Sequence, residues 1–353
     1  LVARARKLNP DCRVVVVGCA AEKNRSQFEN IANVTFIKGV ANKTKIVQEI
    51  LQTGVDVEQI PSVFCEEGFA TQERTRAFVK IQDGCNNFCS YCIVPYLRGR
   101  SRSRKIADIV AETEQADCAE TVLIGIDISQ FGRDTGESLS QLLQALKNVR
   151  TRIRLGSLEE SVVTDEFLQS ASEVNFCPHF HLSLQSGCDT VLKRMNRKYT
   201  SAQYMEAVQK IRKVFPDAGI TTDVIVGFCG ETEEEFATTC EFVRKVDFAD
   251  IHVFPYSPRE GTVAYGWKDV ESGVKTHRAE VLGQIKLQLK KRFADKFAGR
   301  SVEVLCERKR NGFFEGYSRE YLRVYFTGNC NIGETVTVKI IQPYLDGAKG
   351  EVQ

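Results

Sequence analysis

The chain has 353 residues, long enough for two or three domains that each bury a core. Its apolar fraction of 42% and charged fraction of 27% are ordinary for a soluble globular protein. A net charge of +2 gives no whole-molecule field to draw in nucleic acid, so RNA binding must come from local patches. The 13 cysteines are odd in number and spread along the chain, which argues against a disulfide framework and for a reducing, cytoplasmic compartment. The longest apolar run, residues 14–17 and the small residues after it, is too short to span a bilayer, so no membrane partner is expected. No signal peptide is visible, and the start on Leu1, inside a helix-like pattern, reads as a fragment missing its N-terminus.

Residues 1–60 read as the rear of an α/β domain. A short helix is expected over 1–8, and 13–18 is a continuous apolar strand of the kind covered on both faces. A second strand falls at 35–37. Asn42 is expected to cap a helix through Leu51 that Gly54 ends. Residues 55–74 lack periodicity; the linker is placed at 61–74, with Cys65 a bystander.

From Ala77 the pattern is strand, loop, helix, repeated. Strands are expected at 77–82, 121–126, 153–155, 179–184, 220–226 and 251–254. Helices are expected at 106–116, 139–148, 166–174, 191–195, 202–215 and 236–246. Six strands alternating with helices imply a mostly parallel sheet with right-handed crossovers, compatible with an open (βα)6 partial barrel. Thr232-Glu233-Glu234-Glu235 is a capping box. A charged, Lys-rich helix covers 272–298. From Ser301 the period changes to strands at 302–306, 312–317, 322–326 and 335–340, with turns at Asn311-Gly312 and Thr327-Gly328-Asn329, giving a small antiparallel barrel over 299–353.

The most informative stretch follows the strand at 77–82. In Gly84-Cys85-Asn86-Asn87-Phe88-Cys89-Ser90-Tyr91-Cys92 three cysteines stand in the spacing C-x3-C-x2-C. Thiolates are soft ligands for zinc or for iron–sulfur clusters. A structural zinc site takes four protein ligands, and so does a ferredoxin-type cluster. Three thiolates on a four-iron cluster leave one iron open to a ligand from outside the protein. A zinc knuckle short of one ligand, or three unrelated core thiols, are the alternatives.

This loop resembles that of the radical S-adenosylmethionine (SAM) enzymes. With Lys80-Ile81-Gln82-Asp83-Gly84 before it and Ile93-Val94-Pro95-Tyr96-Leu97-Arg98-Gly99-Arg100 after it, the resemblance is to the methylthiotransferase family, over roughly residues 10–350. The resemblance implies a radical-SAM core at 75–298, preceded at 1–60 by part of a flavodoxin-like α/β domain. It implies a TRAM RNA-binding β-barrel at 299–353. It also implies that Cys85, Cys89 and Cys92 hold a [4Fe–4S] cluster whose open iron binds SAM, giving a 5′-deoxyadenosyl radical. Cys19, after the strand at 13–18, resembles the third ligand of a second, auxiliary [4Fe–4S] cluster. Its two partners would lie upstream of Leu1, and Cys12 is no substitute.

The strand exits at Gly125-Ile126-Asp127-Ile128-Ser129, Gly156-Ser157-Leu158-Glu159, His181-Leu182-Ser183-Leu184-Gln185-Ser186-Gly187-Cys188 and Gly227-Phe228-Cys229-Gly230-Glu231, with Tyr256-Ser257-Pro258-Arg259-Glu260-Gly261-Thr262 after the sixth strand, match the family in order, and ligands collect at such carboxyl ends. Gln185, Gly227 and Glu231 are the candidates for SAM contact. Cys229 stands where the family has proline, which is expected to loosen the turn. His181, within an apolar run, reads as a satisfied core histidine. For tRNA phosphates the candidates are Arg98, Arg100, Arg102 and Arg104 beside the cluster loop. Arg308, Lys309 and Arg310, with Phe313, Tyr317 and Arg323, are the candidates on the barrel. The wording of residues 182–188 and 154–159 resembles the branch that methylthiolates carbon 2 of N6-threonylcarbamoyladenosine beside the anticodon. Branches acting on isopentenyladenosine or on a ribosomal protein are alternatives, as is a non-catalytic iron–sulfur RNA-binding fragment. The enzyme reading implies tRNA, an electron donor such as flavodoxin or ferredoxin, and a sulfur donor as partners.

Overall fold

The computed structural model describes residues 1–41, 46, 54–56, 60–64 and 75–353, of which 54–56 are described in backbone only. It begins with α1 (Val2–Leu8), β1 (Val14–Val17), α2 (Cys19–Lys23), α3 (Arg25–Glu29), β2 (Val34–Lys38) and β3 (Gly54–Asp56). The β-branched run Val14–Val17 forms the edge of a parallel sheet in the order β1-β2-β3. Gly54 was expected to end a helix; instead it opens β3, paired with Phe36. Asn42, Leu51 and Cys65 lie outside the described residues. Among the described residues Val14, Val15 and Val16 are half-buried and Val17 is exposed.

The middle of the chain runs through β4 (Arg76–Lys80), β5 (Gln82–Asp83), α4 (Val94–Arg98), β6 (Arg102–Ser103), α5 (Ile106–Gln115), β7 (Glu120–Ile124), α6 (Leu139–Ala145), β8 (Arg152–Leu155) and β9 (Ser157–Leu158). It continues with α7 (Asp165–Ser172), β10 (His179–Leu182), α8 (Asp189–Arg194), α9 (Ser201–Val214), β11 (Gly219–Val226), α10 (Glu233–Val246), β12 (Asp250–Pro255) and α11 (Ser272–Asp295). Strands β4, β7 and β8 are parallel neighbours, as are β9, β10, β11 and β12. Only Gly156 separates β8 from β9. A Cβ there would meet the Leu123 carbonyl oxygen at 3.3 Å, and its amide donates to the same oxygen at 2.9 Å. The two groups are therefore one curved, six-stranded parallel sheet in chain order, an open (βα)6 partial barrel. The inner faces of the helices supply its core, with Leu142, Phe167, Tyr204 and Val243 buried against Ile153, Phe180 and Val224. The capping box forms: Thr232 Oγ1 accepts from the Glu235 amide at 3.3 Å, and the Thr232 amide donates to Glu235 Oε2 at 3.0 Å.

The C-terminal segment, β13 (Ser301–Arg310), β14 (Phe313–Ser318), β15 (Arg323–Thr327), β16 (Thr335–Tyr344) and β17 (Gly347–Val352), closes into a barrel in the order β13-β14-β15-β17-β16. Asn311 (φ 51°) and Gly312 (φ 81°) make the two-residue hairpin turn that the dipeptide signals. Four antiparallel strands were expected, but β17 is a fifth, and it runs parallel to β15. Gly347 and Gly350 blank its pattern because the barrel closes tightly there. A Cβ on Gly347 would stand 2.1 Å from the Arg323 carbonyl oxygen.

The connection from β14 to β15 seals the amino end of the partial barrel. Tyr321 (φ 72°) stacks on His179 at 4.1 Å between ring centroids. Arg154 donates to the carbonyls of Ser318 and Arg319, both at 3.1 Å. Behind this plug, the fully buried Glu120 pairs with Arg76 at 2.7 Å, Arg152 at 2.6 Å and Arg154 at 2.7 Å. Burial alone would raise the Glu120 pKa, but the charges of Arg154, Arg76 and Arg152 outweigh it and hold the pKa at about 2. No described helix is long and apolar enough to cross a membrane.

Candidate cluster and cofactor site

The cysteine loop is held by backbone and by one buried amide. Gln82 Nε2 donates to the carbonyls of Asp83 (2.9 Å) and Gly84 (2.7 Å), and Gln82 Oε1 accepts from the Asp127 amide at 2.9 Å. Gly84 turns the chain with φ 73°; a Cβ there would stand 2.0 Å from the Arg100 carbonyl oxygen. Asn196 Nδ2 donates to the Phe88 carbonyl at 2.9 Å, and the Ser90 amide donates to the Met195 carbonyl at 3.0 Å. Phe88 has φ 48°, strain that these contacts hold in place.

Cys85, Cys89 and Cys92 line one cavity of about 210 Å³ with Asp127, Glu159, Gln185 and Arg197. The Asn87 amide donates to the Cys85 sulfur at 3.4 Å, and Arg197 Nη1 stands 3.3 Å from the Cys89 sulfur. Arg197 Nη2 pairs with Glu159 at 2.7 Å. Asn87 Nδ2 bridges Asp127 (2.9 Å) and Glu159 (3.0 Å). Burial pushes the Cys85 thiol up to about 12 and raises Cys92 as well. Burial first, and then the neighbouring Glu159, raise the Asp127 carboxyl above its usual range.

These residues fit a polynuclear iron–sulfur cluster. The donors are soft thiols that ionise only beside strong positive charge, and they share one cavity with N–H donors aimed at two of the sulfurs.

A second cavity, about 270 Å³, adjoins the first and shares Tyr91 and Gln185 with it; Asp223, Phe254, Ser257 and Arg259 complete its rim. Gln185 thus stands between the two. It holds a left-handed backbone (φ 66°) and is clamped to β11 by its amide, which donates to Asp223 O at 2.8 Å. Its carbonyl accepts from the Ile225 amide at 2.9 Å.

Other candidates from the sequence sit elsewhere. Glu231 is buried, accepts from the Gly227 amide at 2.6 Å and pairs with Arg278 of α11 at 2.8 Å. Glu231 thereby ties the Gly227 turn to a helix, and neither residue is among those lining the two cavities. A Cβ on Gly227 would meet Lys275, not a ligand. His181 is satisfied by Thr221 Oγ1 at 2.9 Å and by Asp223 at 3.3 Å. Cys229 is buried with its sulfur 3.7 Å from the Ala264 carbonyl oxygen.

The basic run divides. Arg102 is buried and pairs with Asp83 at 3.2 Å, and the buried Arg104 pairs with Glu112. Both guanidinium groups are therefore turned inward onto carboxylates and away from an outer phosphate, Arg102 lying opposite its partner Asp83 in the antiparallel β5–β6 pair. Arg98 stands 3.5 Å from Asp83, whereas Arg100 is exposed and lies over the Phe88 ring at 4.4 Å. On the small barrel Arg308 pairs with Glu315 at 2.6 Å, Lys309 lies over Phe314 at 4.5 Å, and Arg310 is exposed. Tyr317 stacks on Tyr321 of the plug at 4.6 Å, and Arg323 pairs with Glu315 and Asp346 of the small barrel, both at 2.8 Å. Cys19 is the first residue of α2, which packs on α4 just beyond Cys92, and Lys23 Nζ reaches the Glu260 carbonyl at 2.6 Å.

Sequence reasoning gave no role to Asn87, Asp127, Gln130, Glu159 or Arg197. A signal existed for two of them: Asp127 and Glu159 each follow a strand-end glycine. Arg197 carried none, since it reaches Cys89 from a loop more than a hundred residues away.

The radical SAM superfamily model matches residues 79–243. A Bacillus subtilis protein named threonylcarbamoyladenosine tRNA methylthiotransferase MtaB is 36% identical over 98% of this chain and 83% of its own length. A Thermotoga maritima protein of the same name is 34% identical over 96% of this chain and 81% of its own. A Thermoanaerobacter protein named tRNA-2-methylthio-N(6)-dimethylallyladenosine synthase is 35% identical, over 98% and 78%.

Proposed function

The chain belongs to the radical SAM tRNA methylthiotransferases, and we propose that the base it modifies is N6-threonylcarbamoyladenosine beside the anticodon. The observation that carries the reaction class is the cavity on which Cys85, Cys89 and Cys92 open together, next to a second cavity wide enough to admit part of a nucleotide. The branch rests on the identity with the Bacillus and Thermotoga proteins and on the wording of residues 182–188. The Thermoanaerobacter relative supports a second reading, with a dimethylallyl group on the base.

Cys85, Cys89 and Cys92 would hold the [4Fe–4S] cluster, which with SAM supplies one-electron chemistry able to functionalise an unreactive C–H bond. The chain's own residues do the rest. Arg197 keeps a positive charge against Cys89, and the Asn87 amide supports Cys85. Gln130 Nε2 donates to Asp127 at 2.5 Å, fixing that carboxyl at the cavity wall. Ile126, Leu158 and Val94 give the wall an apolar part that limits water. Gln185, between the two cavities, is positioned to touch SAM or the base. We further take Cys19 as one ligand of an auxiliary [4Fe–4S] cluster. A single thiol holds no cluster alone, and no step is derived through it. Arg100 and the exposed Arg310 are the phosphate contacts we favour for tRNA; flavodoxin or ferredoxin and a sulfur donor complete the proposed partners.

The test is anaerobic reconstitution with iron and sulfide, then dithionite and SAM, scoring 5′-deoxyadenosine, followed by nucleoside analysis of treated tRNA. Formation of 5′-deoxyadenosine and of 2-methylthio-N6-threonylcarbamoyladenosine is expected. A well-loaded cluster that yields no 5′-deoxyadenosine would overturn the enzyme reading in favour of a non-catalytic RNA-binding protein.

A further inference from the structure

We propose that the second cavity seats the acidic side chain of the modified adenosine and that Arg259 reads its carboxylate. This rests on the threonylcarbamoyladenosine reading given above.

Arg259 differs from the arginines around it. Arg98 and Arg102 face Asp83, Arg104 pairs with Glu112, Arg194 with Glu235 and Arg197 with Glu159. Among the described residues Arg259 has no carboxylate or ring partner, and its side chain is exposed on the rim of the second cavity. The carboxylates nearest to it in sequence and in the cavity are engaged elsewhere. Glu260 lies 3.8 Å from Lys23 Nζ, and Asp223, the cavity's acid, stands 3.3 Å from His181 Nε2.

The segment that carries Arg259 is fixed relative to the cysteine loop. Thr262 holds the Arg259 carbonyl through its hydroxyl (2.6 Å) and its amide (3.1 Å). Two residues on, the Ala264 amide donates to the Ser90 carbonyl at 2.8 Å, between Cys89 and Cys92. Gly261 (φ 84°) makes the intervening bend, where a Cβ would meet Ile93 at 3.1 Å. The backbone that carries Arg259 is thus tethered to the cysteine loop through a short hydrogen-bonded path.

The cavity's chemistry suits one of the two candidate bases. Phe254, 49% exposed at the end of β12, offers a ring face to a nucleobase. The threonylcarbamoyl group ends in a carboxylate and a hydroxyl, matching the Arg259 fork and the Ser257 hydroxyl. A dimethylallyl group is uncharged and has no use for a free guanidinium. A site that meets a charged group with a fixed partner discriminates strongly against an analogue lacking it.

The experiment measures binding of the full chain to anticodon stem-loops that carry threonylcarbamoyladenosine, dimethylallyladenosine or plain adenosine at one position, by fluorescence anisotropy. The wild-type chain is expected to prefer the acidic stem-loop over the dimethylallyl one by roughly ten- to a hundredfold, as for one charge-assisted hydrogen-bonded pair. Arg259→Leu is expected to bring the two to parity while leaving affinity for the plain stem-loop unchanged, and Arg259→Lys to keep part of the preference. A wild-type preference retained in full by Arg259→Leu would overturn the role of Arg259 and leave the substrate reading standing. Equal loss on all three stem-loops would also overturn it, marking Arg259 as a phosphate contact. A wild-type chain that binds the dimethylallyl stem-loop as well or better would instead sink the substrate reading, and the proposal with it.

Discussion

Arg197 places one nitrogen 3.3 Å from the Cys89 sulfur, while its other terminal nitrogen lies 2.7 Å from Glu159. A thiolate cluster beside a fixed cation is easier to reduce, because the added electron meets positive charge. Arg197→Met should leave iron per chain unchanged, move the cluster's midpoint to more negative potential, and slow 5′-deoxyadenosine formation by about 10- to 100-fold. A redox titration followed by electron paramagnetic resonance checks this; an unmoved midpoint would refute it.

The loop geometry makes two substitutions converge on one phenotype by different routes. Cys89→Ala removes a ligand. Gly84→Ala removes none, but its Cβ would sit 2.0 Å from the Arg100 carbonyl oxygen on a backbone with φ 73°. Both should abolish stable cluster loading while far-UV circular dichroism stays near wild type. Full iron content in Cys89→Ala would sink the ligand assignment, and in Gly84→Ala the claim that this close approach shapes the loop.

Glu120 ties acid stability to the plug beneath the barrel. Its folded-state pKa is depressed from 4.5 to about 2, so its contribution is fully present above pH 4.5 and is lost as pH falls toward 2. That depression corresponds to about 3 kcal/mol, at about 1.4 kcal/mol per tenfold. Glu120→Gln should cost about 3–5 kcal/mol at neutral pH, since Arg154 loses its carboxylate and Arg76 and Arg152 are left with Glu307 and Glu303 alone, and should flatten the stability profile between pH 4.5 and 2. Urea unfolding across that range measures both effects; a wild-type-like slope in the variant would show that another group controls it.

The divided basic run yields opposite outcomes for near neighbours. Arg100→Ala should weaken tRNA binding and make its salt dependence shallower, because Arg100 is exposed and lies over the Phe88 ring. Arg102→Ala should leave the salt slope alone and lower the melting temperature, because its guanidinium pairs with Asp83 and donates to the Arg98 carbonyl at 2.7 Å. Parallel salt slopes for wild type and Arg100→Ala would remove Arg100 from the interface.

Much of this was legible in the sequence, and the exceptions have physical causes. The six-strand alternation announces the sheet because each strand is a short apolar run between amphipathic helices. Gln185 could be singled out because it stands at a strand end, where side chains face the barrel mouth. Gly227 and Glu231 stand at a strand end too, but the pairing of Glu231 with Arg278, a residue 47 positions later, has no local signal. Arg102 and Arg104 read as phosphate contacts because charge patterning does not report which carboxylate folds over an arginine. Strand β17 escaped because glycine carries no side-chain period, and Gly54 was misplaced because glycine both ends helices and opens strands. Arg197 matters through what lies beside it in space, which no spacing encodes.

The seal that Tyr321 and Arg154 make with the amino end of the barrel bears on how far the protein can be taken apart. A cut after Asp295 would not release two self-sufficient halves. The larger piece would open Glu120 and its arginines to water from below and leave His179 without the ring that covers it. The smaller piece would carry a bare tyrosine and a row of carbonyls shaped for a surface it no longer meets. Separability ends at that joint, and the outer face of the small barrel is rigidly geared to the floor beneath the cysteine loop.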